Sequence, residues 1–170
     1  VGLISVLAPQ IAHSGVVERI MELESKYGAL DWRVALVIAH EVATQRFCTF
    51  KDKKEAIEVG VRTGFAYVTV GVVSSPLDGI TGIEIKKRLD GRGEYFCVMY
   101  AGPIRNAGGT GASISAIIAD YVRKKLGYDV YDPTDDEVKR TITELHDYHE
   151  RVTNLQYVPS DEETEFCVRH

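Results

Sequence analysis

The sequence predicts an α+β fold, a mostly helical domain in which a β-hairpin or small antiparallel sheet packs against helices. Three observations carry that expectation. Apolar residues recur at helical spacing over most of the chain. Several helical stretches open on a side chain able to cap them. Two strand-like runs flank Asp90-Gly91-Arg92-Gly93, a turn composition that tolerates positive φ. At 170 residues, 45% of them hydrophobic, the chain has enough apolar material for one domain with a core, because a domain of this size buries roughly 70% of the surface its unfolded chain exposes.

Residues 1–14 carry no assignable pattern, and one domain is read over 15–170. From Ser14 onward, Val16, Val17, Ile20, Leu23 and Tyr27 form one helical stripe, and Gly28 supplies a left-handed stop. Asp31 can cap a second helix with Val34, Val37, Ile38 and Val42 inward, the two helices forming an antiparallel hairpin. Trp32 reads as core rather than as a base-stacking platform. Asp52 and Glu55 have the form of a capping box ahead of Ile57, Val61, Phe65, Val68 and Val72. Gly60, Gly64 and Gly71 each cost about 1 kcal/mol in a helix relative to alanine, and Tyr67 to Val73 is rich in β-branched residues. The alternative is that these small residues let another backbone approach closely.

Strands are expected over Ile83 to Arg88 and Glu94 to Ala101, and the second is apolar on both faces, as a central strand covered on both sides would be. A helix beginning at Thr110 or Ser113 turns Ile114, Ile117, Ile118, Tyr121, Val122 and Leu126 inward and ends at Gly127. Thr134 with Glu137 opens a long helix lined by Val138, Ile142, Leu145, Val152 and Leu155. Ser160 with Glu163 opens a last one that reads as unfinished at His170.

A net charge of −5 disfavours a grip on nucleic acid through bulk positive charge, so any DNA contact must be local. Lys86-Lys87-Arg88 and Arg123-Lys124-Lys125 read first as solvated faces and second as phosphate contacts. Cys48, Cys97 and Cys167 form no CxxC pair, which argues against a zinc knuckle or a secreted disulfide framework and for a reducing, cytoplasmic setting. No apolar run approaches the ~20 residues of a membrane helix. Val1 to Ala8 lacks the basic start of a signal peptide and reads as a fragment edge. His146 and His149 share a helix face and could share a metal, but without companion ligands a packed histidine is the better reading.

The segment Tyr100 to Ser113, YAGPIRNAGGTGAS, sets a glycine-rich loop between a strand and a helix start. Gly108, Gly109 and Gly111 permit backbone conformations closed to other residues, and successive N–H groups there could cradle an anion beside the Arg105 guanidinium. A structural turn is the competing reading. Gly109 is followed by Thr110 and Gly111 rather than lysine, which excludes an ordinary P-loop, and Ile114 occupies the third glycine position of a dinucleotide fingerprint.

This loop is very similar to the glycine-rich motif near the start of the large subunit of the archaeal family D DNA polymerase. The words GVVERIMELESKYG, VRTGFAYVTVGVVSSPLDGI, ADYVRKKLG, DYHERVTNLQYVPSDEE and VRH resemble that family in the same order, over about residues 15–170. Asn106 stands where the family commonly has serine, Glu150-Arg151 reverses a basic-acidic pair, and Asn154 takes an expected basic position, so no charge-dependent role is carried onto the long helix.

The resemblance implies the amino-terminal domain of a polymerase large subunit, truncated at its C-terminal end and not itself catalytic. In that family the large subunit joins nucleotides on a DNA template through metal-bound carboxylates, with magnesium the expected ion, in double-psi β-barrels downstream of the matched region. A separate small subunit carries the 3′–5′ exonuclease. No catalytic residue, metal ligand or cofactor is therefore expected here. Asp135-Asp136 and Asp161 to Glu163 read as helix-start charges. The implied partners are the small subunit, the remainder of the large subunit, primer–template DNA and a sliding clamp, with no membrane. The candidate DNA-phosphate residues are Arg105, Asn106, Gly108, Gly109, Thr110, Arg123 and Lys124. The alternative is a free-standing phosphate- or nucleotide-binding enzyme that uses the 102–111 glycine loop.

Overall fold

The computed structural model describes residues 6–70, 74–102, 104 and 109–170. Its elements, in chain order, begin with a 3₁₀ turn (Pro9–Ile11), α1 (Val16–Tyr27), α2 (Trp32–Ala43), α3 (Lys53–Val68) and the short α4 (Ser74–Asp78). They continue with β1 (Ile80–Lys87), β2 (Glu94–Tyr100), α5 (Gly109–Leu126), α6 (Asp135–Arg151) and α7 (Asp161–Arg169). This is the expected α+β arrangement, helices with a two-stranded sheet. Two compact units divide the chain, Val1–Lys86 with Phe96–Asp129 and Lys87–Tyr95 with Val130–His170.

The first unit is organised by the glycines that local propensity penalises. A Cβ on Gly60 would lie 2.5 Å from the carbonyl oxygen of Ala39, and one on Gly64 would lie 2.7 Å from that of Ala35. The backbone of α2 therefore occupies the space a side chain on α3 would need, and the close-approach reading accounts for both glycines. Ala35, Ala39 and Ala43 line the buried face of α2, and Phe65, Ile57 and Val61 continue the same core. Ile118 and Val122 join it from α5, and Ile80, Ile83 and Phe96 from the sheet. A second cluster gathers Val16 and Leu23 of α1 with Val34, Ile38 and Val42 of α2. Ile11 is wholly buried within it, so the unassigned lead segment contributes to the core.

Polar ties close this unit. The Tyr67 hydroxyl accepts from the Leu30 N–H at 2.9 Å and donates to Glu24 at 2.8 Å, and burial and Glu24 push it up to about 12. Arg19 forks onto Glu41 at 2.8 and 3.0 Å, joining α1 to α2. Arg62 donates to the Ile80 carbonyl at 3.0 Å and fixes the start of β1 against α3.

Five expectations need correction. Trp32 is 63% exposed, standing at an open groove lined also by Ala35, Leu36 and Val68 rather than within the core. Ile117 is 60% exposed, since Ile118, Ser115 and Val122 already fill the inward face of α5. Among the described residues β2 has one strand neighbour and is not a central strand; Phe96 packs inward while Met99 stays 42% exposed. Asp52 caps the Glu55 N–H at 2.9 Å, but Glu55 accepts from Lys51 at 2.8 Å rather than from Asp52, so the box is displaced by one residue. The long helix ends at Arg151, leaving Val152 exposed beyond it. The expected stripe residue Val72 lies outside the described residues.

In the second unit, Arg88 at the hairpin tip holds Asp90 at 3.0 Å and the Val130 carbonyl at 2.6 Å. Asp132 accepts from the N–H groups of Leu89 and Asp90 at 3.1 and 2.9 Å. Both predicted capping boxes form, Thr134 with Glu137 and Ser160 with Glu163. Arg169 spans from α7 to Asp135 of α6 at 2.7 Å. Few side chains are deeply buried here, chiefly Val138 and Thr164, so termini and ion pairs carry much of the local order.

That has a pH consequence. Arg169 holds Asp135 below the usual carboxylate range, Tyr131 and Thr134 do so for Glu137, and Tyr157 and Ser160 for Glu163. A carboxyl whose folded value is depressed stabilises fully above its unfolded value, about pH 4, and loses that contribution as pH falls through the folded value. All three are exposed and screened. The expected result is fraying of the first turns of α6 and α7 below about pH 4, seen as faster amide exchange there, while amides of α2 and α3 stay protected. Equal loss in both places would contradict it.

Candidate nucleic-acid interface

Of the glycine loop, residues 100–102, 104 and 109–113 are described: Ile104 is buried in the core at 2% exposure, and Gly109 onward forms the start of α5. Gly109 and Thr110 are exposed, and the first turn carries no acidic residue. The first N–H groups of a helix lack intrahelical acceptors and sit at the positive end of its dipole, which suits them to a phosphate oxygen. Gly109 and Gly111 belong to the helix and are not among its positive-φ glycines, so the loop does not use them for conformations closed to other residues. A Cβ on Gly111 would touch only Phe65, at 3.9 Å. Arg105, Asn106 and Gly108 lie outside the described residues.

Sequence reasoning missed the anchor behind this helix start. The Ser115 hydroxyl donates to the Ala112 carbonyl at 2.8 Å and lies 3.0 Å from the Tyr100 hydroxyl, tying α5 to the end of β2. Burial pushes the Tyr100 phenol up. The available signal was position: Ser115 falls one turn before Ile118 on the inward stripe, where a serine needs a partner.

Among the described candidates, Gly109 and Thr110 stand at one end of α5 and Arg123 and Lys124 at the other. Arg123 and Lys124 sit in the last turn of α5, about 20 Å along the helix from Gly109 at ~1.5 Å per residue. Arg123 is committed to Asp120 at 2.8 Å and to the Tyr128 carbonyl at 2.7 Å, with 13% of its side chain exposed. Lys124 pairs with the same Asp120 at 3.0 Å but remains open to solvent. These cations suit the negative end of the helix dipole, so a structural role explains them.

The histidines and carboxylates are likewise engaged locally. His146 Nε2 lies 2.9 Å from Asp161, whereas His149 Nδ1 accepts from the Leu155 N–H at 3.1 Å. The pair therefore turns to two different neighbours. Among the described residues no group of three His, Cys, Asp or Glu side chains is placed to hold a metal ion. None of the described helices is long and apolar enough to cross a membrane. Charge is uneven: the second unit holds 13 acidic against 7 basic residues, and the first 12 against 13. The negative charge that disfavours DNA is thus confined to the second unit.

Comparison with known proteins gives one consistent result. The family described as DNA polymerase II large subunit DP2, N-terminal, matches residues 3–170, a span that takes in most of the lead segment. A DNA polymerase II large subunit of Nanoarchaeum equitans is 47% identical over 168 residues, covering 99% of this chain and 13% of the relative. The Methanococcus maripaludis (strain C5) protein of the same name is 43% identical over 94% of the chain and 14% of its own length. That of Thermococcus kodakarensis is 41% identical over 92% and 9%. The chain thus spans about an eighth of the length of the relatives it matches first.

Proposed function

Because this chain belongs to the family of DNA polymerase II large subunit amino-terminal domains, we propose that it serves a replicative, DNA-directed DNA polymerase as a domain that performs no chemistry itself. It supports the catalytic core and touches template or primer phosphates through the glycine-rich segment. The observation that carries this reading is the family match over residues 3–170. Nucleotide joining with magnesium takes place elsewhere in the large subunit, a small exonuclease subunit completes the enzyme, and the assembly works with primer–template DNA and a sliding clamp in the cytoplasm.

The phosphate contact is assigned to Arg105 and the N–H groups at the start of α5, in the near-neutral first unit. The acid-free first turn and the exposure of Gly109 and Thr110 support it. The internal hydrogen bonds of Arg123 favour a structural role for it over a phosphate contact. In the complete enzyme, Arg105→Ala is expected to weaken primer–template binding several-fold and to lower the slope of log affinity against log salt by about 1, the signature of one lost phosphate contact. Lys124→Ala is expected to change neither by much. If Arg105→Ala leaves affinity and salt dependence unaltered, the DNA contact is wrong; if deleting the domain leaves polymerisation intact, the supporting role is wrong as well.

A further inference from the structure

Trp32, Ala35 and Leu36 of α2, Val68 of α3, and Ile114 and Ile117 of α5 enclose an open groove of about 130 Å³. Every lining side chain is apolar. Trp32 and Ile117, the two most exposed of the lining residues, are 63% and 60% accessible. Scattered exposed apolar residues are ordinary, but two beside a concave, wholly apolar lining mark a surface built to be covered.

We propose that this groove is the seat of an apolar segment from the remainder of the same large subunit, docked in cis. The inference rests on the reading of the chain as one domain of a polymerase large subunit. Three observations favour this occupant. The first is length: in the relatives the matched stretch is 9–14% of one polypeptide. Several hundred residues are therefore covalently tethered to the corresponding surface, and tethering raises effective concentration to about the millimolar range. The second is chemistry. A phosphate backbone needs cations, and the groove lining offers none. The nearest in sequence, Arg33, is held by Asp31 at 2.7 and 2.8 Å and stacks over Tyr27 at 4.8 Å. A base-stacking platform for single-stranded DNA would combine its aromatic with a positive groove, and no cation stands among the described lining residues. The third is position. The groove spans α2, α3 and α5, the three helices that pack on one another through Gly64 and Ile118, so a segment seated there would contact all three.

The test is thiol accessibility in the whole enzyme. Ile117→Cys is placed in a large subunit whose Cys48, Cys97 and Cys167 are serine, and Glu18→Cys, on the exposed face of α1, provides the reference. Labelling with a maleimide is followed in the large subunit alone, after addition of the small subunit, and after addition of primer–template DNA. The expected result is that Ile117→Cys reacts at least about tenfold more slowly than the reference in the large subunit alone, as burial of a side chain in a packed contact requires. Reaction at the reference rate throughout overturns the proposal. Protection that arrives only with the small subunit, or only with DNA, also overturns it and names the other occupant. In case the cysteine perturbs docking, Trp32→Cys is measured in parallel and must agree. Failure here with a domain deletion that still abolishes polymerisation would reject the groove alone; a deletion without effect would reject the domain's role itself.

Discussion

Replacing Gly60 by alanine is expected to destabilise the protein by about 3 kcal/mol, although alanine is the better helix former. Propensity alone would stabilise α3 by about 1 kcal/mol. Against that, the new methyl would meet the Ala39 carbonyl oxygen at 2.5 Å and the Ala43 Cβ and backbone nitrogen at 3.0 Å. Backbone atoms of a packed helix cannot step aside as a side chain could, and overpacking of this kind costs about 1–3 kcal/mol or more. The clash therefore wins. Gly64→Ala is expected to behave alike, with contacts of 2.7 Å to the Ala35 carbonyl and 2.9 Å to the Ala39 Cβ. Denaturant unfolding of the 170-residue chain checks the sign. A gain in stability would show that α2 and α3 are not in backbone contact.

The second large effect is expected at Phe65. Phe65 is 1% exposed and belongs to the core cluster in which α2, α3 and α5 meet the sheet, together with Ile118, Val122, Ile83 and Phe96. Truncation to alanine removes the ring from a cluster that draws on both strands and three helices, so the cavity cannot close by movement of one element. A loss of about 3–5 kcal/mol follows, on the order of 10 °C in Tm for a chain of this size. Phe65→Leu should recover part of it. A change below about 1 kcal/mol for the alanine variant would mean that this core is looser than the packing implies.

Both predictions concern residues whose importance the sequence shows unevenly. Phe65 announces itself through the spacing of Ile57, Val61 and Phe65. Gly60 and Gly64 are ambiguous by local rules, because a glycine in a helical stripe is equally a defect and a contact, and only the position of α2 separates the two. Trp32 and Ile117 were misread for the opposite reason. Periodicity reports which side of a helix is apolar, and both residues lie at the margin of such a stripe, where the neighbouring elements determine whether a side chain is covered.

The glycine-rich loop marks the same limit at the candidate site. Its composition singles out residues 102–111, and at the start of α5 Gly109 and Thr110 are exposed. Composition does not separate the basic run at the far end of α5 from it, although Arg123 is committed to Asp120 and the Tyr128 carbonyl and Lys124 pairs with Asp120 while open to solvent. Charge counted along a chain carries no information on which cations already have partners.

By itself the sequence determined the class of fold, the helix starts at Asp31, Thr134 and Ser160, the hairpin around Gly91, and the family, because each depends on residues close together in the chain or on words in a set order. Tertiary structure alone decided which glycines are contacts, which apolar residues stay uncovered and which cations remain available. Those depend on what stands opposite a side chain in space, and residues as far apart as Gly64, Ile118 and Ala35 meet only once the chain has folded.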